Sequence, residues 1–265
     1  MFARLFGRAG IAEDCQGSAT VGDGFDSAFA VLMRAGFRDE YIYRAAVTHK
    51  ILMGIHSLNT ACMLTEFRAG ACKADLVILN GTATAFEIKS ERDSLARLAN
   101  QVANYKKVFA SVNVIASECH VRGVIDTVPK DVGVMCLLPR YRIRTVRDAV
   151  DQPDRICPVT AFESLRTAEA RAILKVLGAP IPEVPNTMLH RAMREVFTAL
   201  RPADVHLAMV STLKRTRNLA PLRDLVAQLP SSLHAAALSI QMRRSQHDRL
   251  VEAVLTPLSD AMSWA

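Results

Sequence analysis

The sequence predicts an α/β fold: a mixed sheet covered by helices, followed by an all-helical C-terminal region. Three observations carry this. Short apolar runs of β type lie between residues 60 and 146, and Asn80-Gly81 between two of them is a strong hairpin signal. Apolar residues at helical spacing precede the first run and recur after the third, at Leu95, Leu98, Val102, Tyr105 and Phe109. From residue 162 onward the β-type runs stop and helical patterns take over. A helix, three strands, a helix and further strands is the order of a layered α/β domain.

Residues 1–24 are glycine-rich and aperiodic and read as an arm; residues 27–35 read as a short helix. Residues 39–53 read as a longer helix, with Tyr41, Ile42, Ala45, Ala46, Ile51 and Leu52 as its apolar stripe and Gly54 as its stop. His49 on this helix, beside Lys50, reads as solvated. Residues 60–67 read as the first strand, with Glu66 near its end. Asp75 opens the run Leu76-Val77-Ile78-Leu79, and Glu87 and Lys89 flank Ile88 at the end of the next.

Side chains alternate along a strand, so Glu87 and Lys89 share a face. The turn decides whether Asp75 joins them. A strict two-residue Asn-Gly turn sets Asp75 opposite Phe86, on the wrong face. A three-residue loop, Leu79-Asn80-Gly81 with Gly81 left-handed, sets Asp75 opposite Ala85 and diagonal to Glu87 on one face. The bulged turn is the expectation.

Asp93 or Ser94 is positioned to cap the next helix. On it Gln101 and Tyr105 are four apart and share a face. Residues 111–116 and 132–138 read as buried strands. Residues 140–146 alternate, so Arg140, Arg142 and Arg144 share one face, which reads as a charge-protected edge strand rather than a phosphate contact. A linker over 147–160 leads to helices over 162–177, 188–200, 202–215, 221–229 and 231–255. Lys214, Arg215 and Arg217 cluster at a helix end, where cations suit either a phosphate or the helix dipole. The organisation is therefore an arm and short helix over 1–38, an α/β core over 39–150 and a helical region over 151–265.

The 265 residues carry a net charge of +7, which suits a polyanionic partner such as nucleic acid. No apolar run is long enough to span a membrane, and no signal peptide is read, so a cytoplasmic protein is expected. Cys15, Cys62, Cys72, Cys119, Cys136 and Cys157 contain no Cys-x-x-Cys spacing and read as free thiols. Cys119-His120 follows a strand with no partner cluster nearby in the sequence and reads as a loop.

Glu66, Asp75, Glu87 and Lys89 are the charged groups that stand out. Charges at the edge of apolar strands are costly to bury unless they pair or bind a metal. Asp75 and Glu87 on one face suit a hard cation with oxygen ligands. Glu66, Asp75, the Glu87-Ile88-Lys89 triplet and the Gln101/Tyr105 helix together resemble the PD-(D/E)XK nuclease superfamily, in its RecB-like branch. The stretch is also similar to a poorly characterised bacterial family of PD-(D/E)XK-like proteins. Its matching segments are Ala74 to Gly81, Glu87 to Ser90 and Arg92 to Leu98. The resemblance covers roughly residues 40–150 and lacks a Pro before Asp75.

The resemblance implies a restriction-endonuclease-like core and a divalent-metal-dependent nuclease that hydrolyses DNA phosphodiester bonds. It implies Mg²⁺ or Mn²⁺ held by Asp75, Glu87 and the Ile88 carbonyl, with Glu66 completing the shell. Some members of the superfamily supply that last acid from the preceding helix instead. Lys89 is expected to orient or deprotonate a water, and Gln101 and Tyr105 to position the water and the phosphate. Arg92, Arg97 and Lys106 are candidate contacts to nucleic acid; Lys73 reads equally as such a contact or as a plain surface residue. The alternative is a non-catalytic module of the same fold that binds DNA or protein in a defence or mobile-element system.

Overall fold

The computed structural model describes residues 19–34 and 36–263. Helix α1 (Val21–Leu32) starts earlier than the glycines suggest, because Thr20 and Asp23 close a capping box at its N-terminus. The glycine-rich residues from 21 onward are therefore helix rather than arm. A Cβ on Gly22 would come within 3.2 Å of the Val254 carbonyl, so the glycine permits close packing there. Residues 1–18 of the arm, with Cys15, lie outside the described residues. Helix α2 (Glu40–Val47) is capped by Asp39 and widens into a π-type turn over Thr48–Leu52.

Six strands follow: β1 (Cys62–Ala69), β2 (Cys72–Asn80), β3 (Thr82–Lys89), β4 (Ser111–Ala116), β5 (Gly133–Leu138) and β6 (Arg142–Arg147). They form one mixed sheet in sequential order. The pairs β1/β2, β2/β3 and β5/β6 are antiparallel, while β3/β4 and β4/β5 are parallel. The parallel pairs are joined through helices α3 (Leu98–Tyr105) and α4 (Val121–Thr127), as parallel strands require. Every residue of β4 is buried, which is why Ser-Val-Asn-Val-Ile-Ala does not alternate: helices cover both faces. The edge strand β6 is largely exposed, and Arg142 and Arg144 stand along it as expected. Arg140 is not in the strand. It and Tyr141 take left-handed backbone conformations in the turn before it, with φ of 59° and 56°.

The β2/β3 register differs from the bulged-turn expectation by two residues. Asn80 pairs with Thr82 and Val77 with Ala85, leaving Gly81 alone at the tip with φ of 72°. Left-handed glycine reverses the chain within a single residue, tighter than either turn considered. A shift of two preserves the face. Extended one step past Leu76/Phe86, the register sets Asp75 against Glu87. In β1/β2 the pairs Thr65/Leu76 and Phe67/Ala74 bracket Glu66 and Asp75 in the same way. Three acids thus lie in a row across three neighbouring strands.

Two local expectations fail at α3 and α2. The chain after β3 makes turns before α3 begins at Leu98, so neither Asp93 nor Ser94 caps the helix. Asp93 instead accepts from the Ser90 N–H and hydroxyl at 2.7 and 2.6 Å, and Ser94 accepts from the Ala96 N–H. His49 is not solvated. Its Nδ1 is 3.1 Å from the Tyr141 hydroxyl and its ring stacks edge-on against His234. Burial pushes its pKa down to about 4, aided by the charges of His234 and Lys50.

The helical region comprises α5 (Pro158–Glu163), α6 (Thr167–Val176), α7 (Asn186–Thr198), α8 (Pro202–Thr216), α9 (Arg223–Gln228), α10 (His234–Ser239), α11 (Arg244–Leu255) and α12 (Leu258–Ala261). The stretches read as single helices over 162–177 and 231–255 are each broken, at residues 164–166 and 240–243. One hydrophobic cluster runs from the sheet, through Phe67 and Val77, into Phe162, Phe197 and Met209 of these helices. No helix among the described residues is long and apolar enough to cross a membrane.

Of the basic cluster at the end of α8, Arg217 is committed to structure. It grips buried Glu169 of α6 through two contacts of 2.8 Å and lies over the Phe67 ring of β1. Breaking a buried pair strands a charge, so Arg217→Met is expected to cost about 3 kcal/mol in denaturant unfolding. A loss below about 1 kcal/mol would show that this clamp does not hold the helices to the sheet.

Candidate functional site

The site lies where β2 begins, β3 ends and α3 crosses them. Period-two alternation places Glu87 and Lys89 on one side of β3, and there Lys89 Nζ donates to Glu87 Oε1 at 2.8 Å. It also donates to Gln101 Oε1 on α3 at 3.0 Å. One turn along α3, the Tyr105 hydroxyl lies 2.6 Å from Glu87 Oε2 and 2.6 Å from the Lys73 carbonyl. Its single proton serves one of these acceptors at a time. Glu87 is 1% and Lys89 4% exposed, so both charges are inside the protein and each partner is needed to hold the other. Burial, together with the neighbouring Glu87 charge, pushes the Tyr105 phenol far above its ordinary range and keeps it protonated as a donor.

Asp75 is half-buried. Its Oδ2 accepts the Ile88 N–H at 2.7 Å, which ties β2 to β3 at the site. Burial first, and the Glu87 charge second, push its pKa up to about 7; the Ile88 N–H works in the opposite direction.

A second group of acids meets Asp75 on its other side. Single carboxylate oxygens of Glu40, Glu66 and Asp75 lie within 4.8 Å of one another. Glu40 begins α2, Glu66 comes from β1 and Asp75 from β2. Glu66 holds a left-handed backbone, φ 50°, at this point of an otherwise regular strand. That conformation costs a non-glycine residue about 1–3 kcal/mol, strain of the kind that collects at functional sites. Three carboxylate oxygens from three elements suit a hard divalent cation such as Mg²⁺ or Mn²⁺. Arg44, one turn after Glu40 on α2, pairs with Glu40 and reaches to 4.0 Å from Glu66 Oε1.

The structure therefore regroups the expected ligands. Asp75 and Glu66 come together as expected, but with Glu40, which the residue pattern did not single out. An acid in the first turn of a helix is ordinary helix chemistry, so nothing local marked Glu40. Glu87 turns one oxygen to Lys89 and the other to Tyr105 instead of toward the acid cluster. Ile88 contributes its N–H to Asp75. Gln101 and Tyr105 reach the site as expected, though they hold Lys89 and Glu87 rather than an open position.

Of the expected nucleic-acid contacts, Lys73, Arg92 and Arg97 are exposed. Lys106 is taken up by Asp131, 2.7 Å from its Nζ, and Arg155 joins them. Burial would raise the Asp131 pKa, but Lys106 and Arg155 outweigh it and hold the carboxyl below its usual range.

A family model described as bacteriophage P4 protein cII matches residues 33–221, which include the whole sheet and helices α2 to α8. Protein cII of Enterobacteria phage P4 is 38% identical over 85 residues, 32% of this chain and 31% of that protein. The match thus spans about a third of that relative's length. Among solved structures, a protein of unknown function from Silicibacter pomeroyi matches at 17% identity. It covers 51% of this chain and 88% of its own, with a TM-score of 0.33.

Proposed function

As the chain belongs to the bacteriophage P4 protein cII family, a name that states no chemistry, we propose its function from the site: a divalent-metal-dependent nuclease acting on DNA phosphodiesters, within the PD-(D/E)XK superfamily. One observation carries the reading. Glu66, Asp75 and Glu87 stand in a row across β1, β2 and β3, and Lys89, beside Glu87, is fixed by Gln101 from α3.

Glu40, Glu66 and Asp75 are the residues that would hold the metal. A bound Mg²⁺ or Mn²⁺ supplies positive charge beside a phosphate and a more acidic water. The rest is done by the chain's own groups. Lys89 Nζ, which donates to Glu87 and Gln101, is the group that would stabilise charge developing on the phosphate oxygens. Glu87 and Gln101 fix the direction of that amine, and Tyr105 fixes Glu87. Exposed Lys73, Arg92 and Arg97 would meet the backbone phosphates, and the net charge of +7 favours such a partner. The reading places the protein in the cytoplasm, with DNA.

The test is incubation with linear and closed circular DNA, with Mg²⁺ or Mn²⁺ and with EDTA. Cutting that needs the metal supports the reading, and the circular substrate separates internal from end-directed cleavage. A second reading, a non-catalytic DNA-binding module, draws on the burial of Glu87 and Lys89 and their commitment to each other. It expects strongly salt-dependent DNA binding without cleavage.

A further inference from the structure

We propose that Arg44 is an internal counter-cation for the acid cluster, standing in the electrostatic place of the divalent metal and setting how tightly the metal binds. The inference rests on the metal-dependent reading above and adds a control to the same site.

The geometry is specific. Glu40 and Arg44 are one turn apart on α2, so the guanidinium is carried over the carboxylates by the helix itself. Its Nη2 pairs with Glu40 and stands 4.0 Å from Glu66 Oε1, bridging the helix acid and the strand acid. The Arg44 side chain is 20% exposed, against 52% for Glu40 and 55% for Glu66. It is therefore more shielded from solvent than either acid. Its Nε is buried without a hydrogen-bond partner. A guanidinium held to structure normally uses its whole fork, as Arg217 does on Glu169. Arg44 is held through Nη2, which donates to Glu40 Oε1, while its Nε is left unpaired.

Charge balance gives the consequence. Three carboxylates whose oxygens lie within 4.8 Å of one another repel. One guanidinium offsets part of that repulsion, enough to keep the cluster assembled before metal arrives. A divalent cation offsets more, but it must compete with Arg44 for the oxygens of Glu40 and Glu66. The wild-type protein should therefore bind metal more weakly than its acids alone would allow, while folding without metal.

Calorimetric titration of Mn²⁺ and Mg²⁺ into the full chain tests this, with Arg44→Met and Arg44→Lys beside wild type and metal-free melting curves for each. Arg44→Met is expected to bind metal about tenfold more tightly, the effect of one neighbouring charge. It should also melt earlier without metal and recover on adding it. Arg44→Lys, which keeps the charge, should stay near wild type in both measurements and guards against a fold defect in the Met variant. Metal binding by wild type that is unchanged or weakened in Arg44→Met would overturn the counter-cation role and leave the metal site standing. Absence of metal binding in all three proteins would overturn both.

Discussion

Lys89→Met is expected to lower the rate of metal-dependent DNA cleavage by roughly 10²–10⁴-fold, the loss of a positioned proton-bearing group at the reacting centre. The substitution also leaves Glu87, only 1% exposed, without its cation. A stranded buried charge costs about 3–5 kcal/mol, so part of any lost activity could be lost fold. The double variant Glu87→Gln/Lys89→Met separates the two. It removes the stranded charge and should recover most of the melting temperature, because Tyr105 can still donate to the Gln carbonyl. It should not recover cleavage. Recovery of cleavage along with stability would show that Lys89 only held the site together.

Asp75→Asn is expected to stabilise the metal-free protein and to abolish metal binding. Asp75 is pushed up to about 7 by burial and by Glu87, from an ordinary value near 4. The folded state therefore holds its proton more tightly than the unfolded state does. The stability this proton gives is complete below about pH 4 and is lost as the pH rises to about 7. At neutral pH and above, the metal-free fold carries a penalty on the order of 4 kcal/mol, which an uncharged Asn removes while still accepting the Ile88 N–H. Metal reverses the balance, since it needs the carboxylate ionised. Binding should therefore tighten as pH rises toward about 7 and should release a proton. Melting curves across pH, with and without Mn²⁺, check both halves. An Asp75→Asn protein that melts earlier than wild type without metal at about pH 8 would contradict the penalty assigned to the Asp75 charge.

Part of this site can be read from the residues because it depends on local periodicities. Alternation puts Glu87 beside Lys89, and the 3.6-residue turn puts Gln101 beside Tyr105; neither needs a long-range contact. Asp75 falls on the expected face although its register is off by two, because faces follow parity and parity survives an even shift. The position of Gly81 in the turn could not be resolved that way, since several tight turns share the Asn-Gly signal. Glu40 shows the opposite case. It reaches Asp75 only because α2 packs against the start of the sheet, a contact across 35 residues of chain that no local pattern encodes. Lys106 and His49 read as surface groups for the same reason: their partners, Asp131, Tyr141 and His234, come from distant elements. The early start of α1 was hidden by glycines, of which Gly22 permits close packing against the Val254 carbonyl.

Anomalous diffraction from crystals grown with Mn²⁺ would show whether acids from α2, β1 and β2 form the metal centre. One strong peak is expected among the carboxylates of Glu40, Glu66 and Asp75, with Lys89 still joined to Glu87 and Gln101. Crystals with no peak there at saturating Mn²⁺, and with Arg44 still on Glu40, would contradict that assignment.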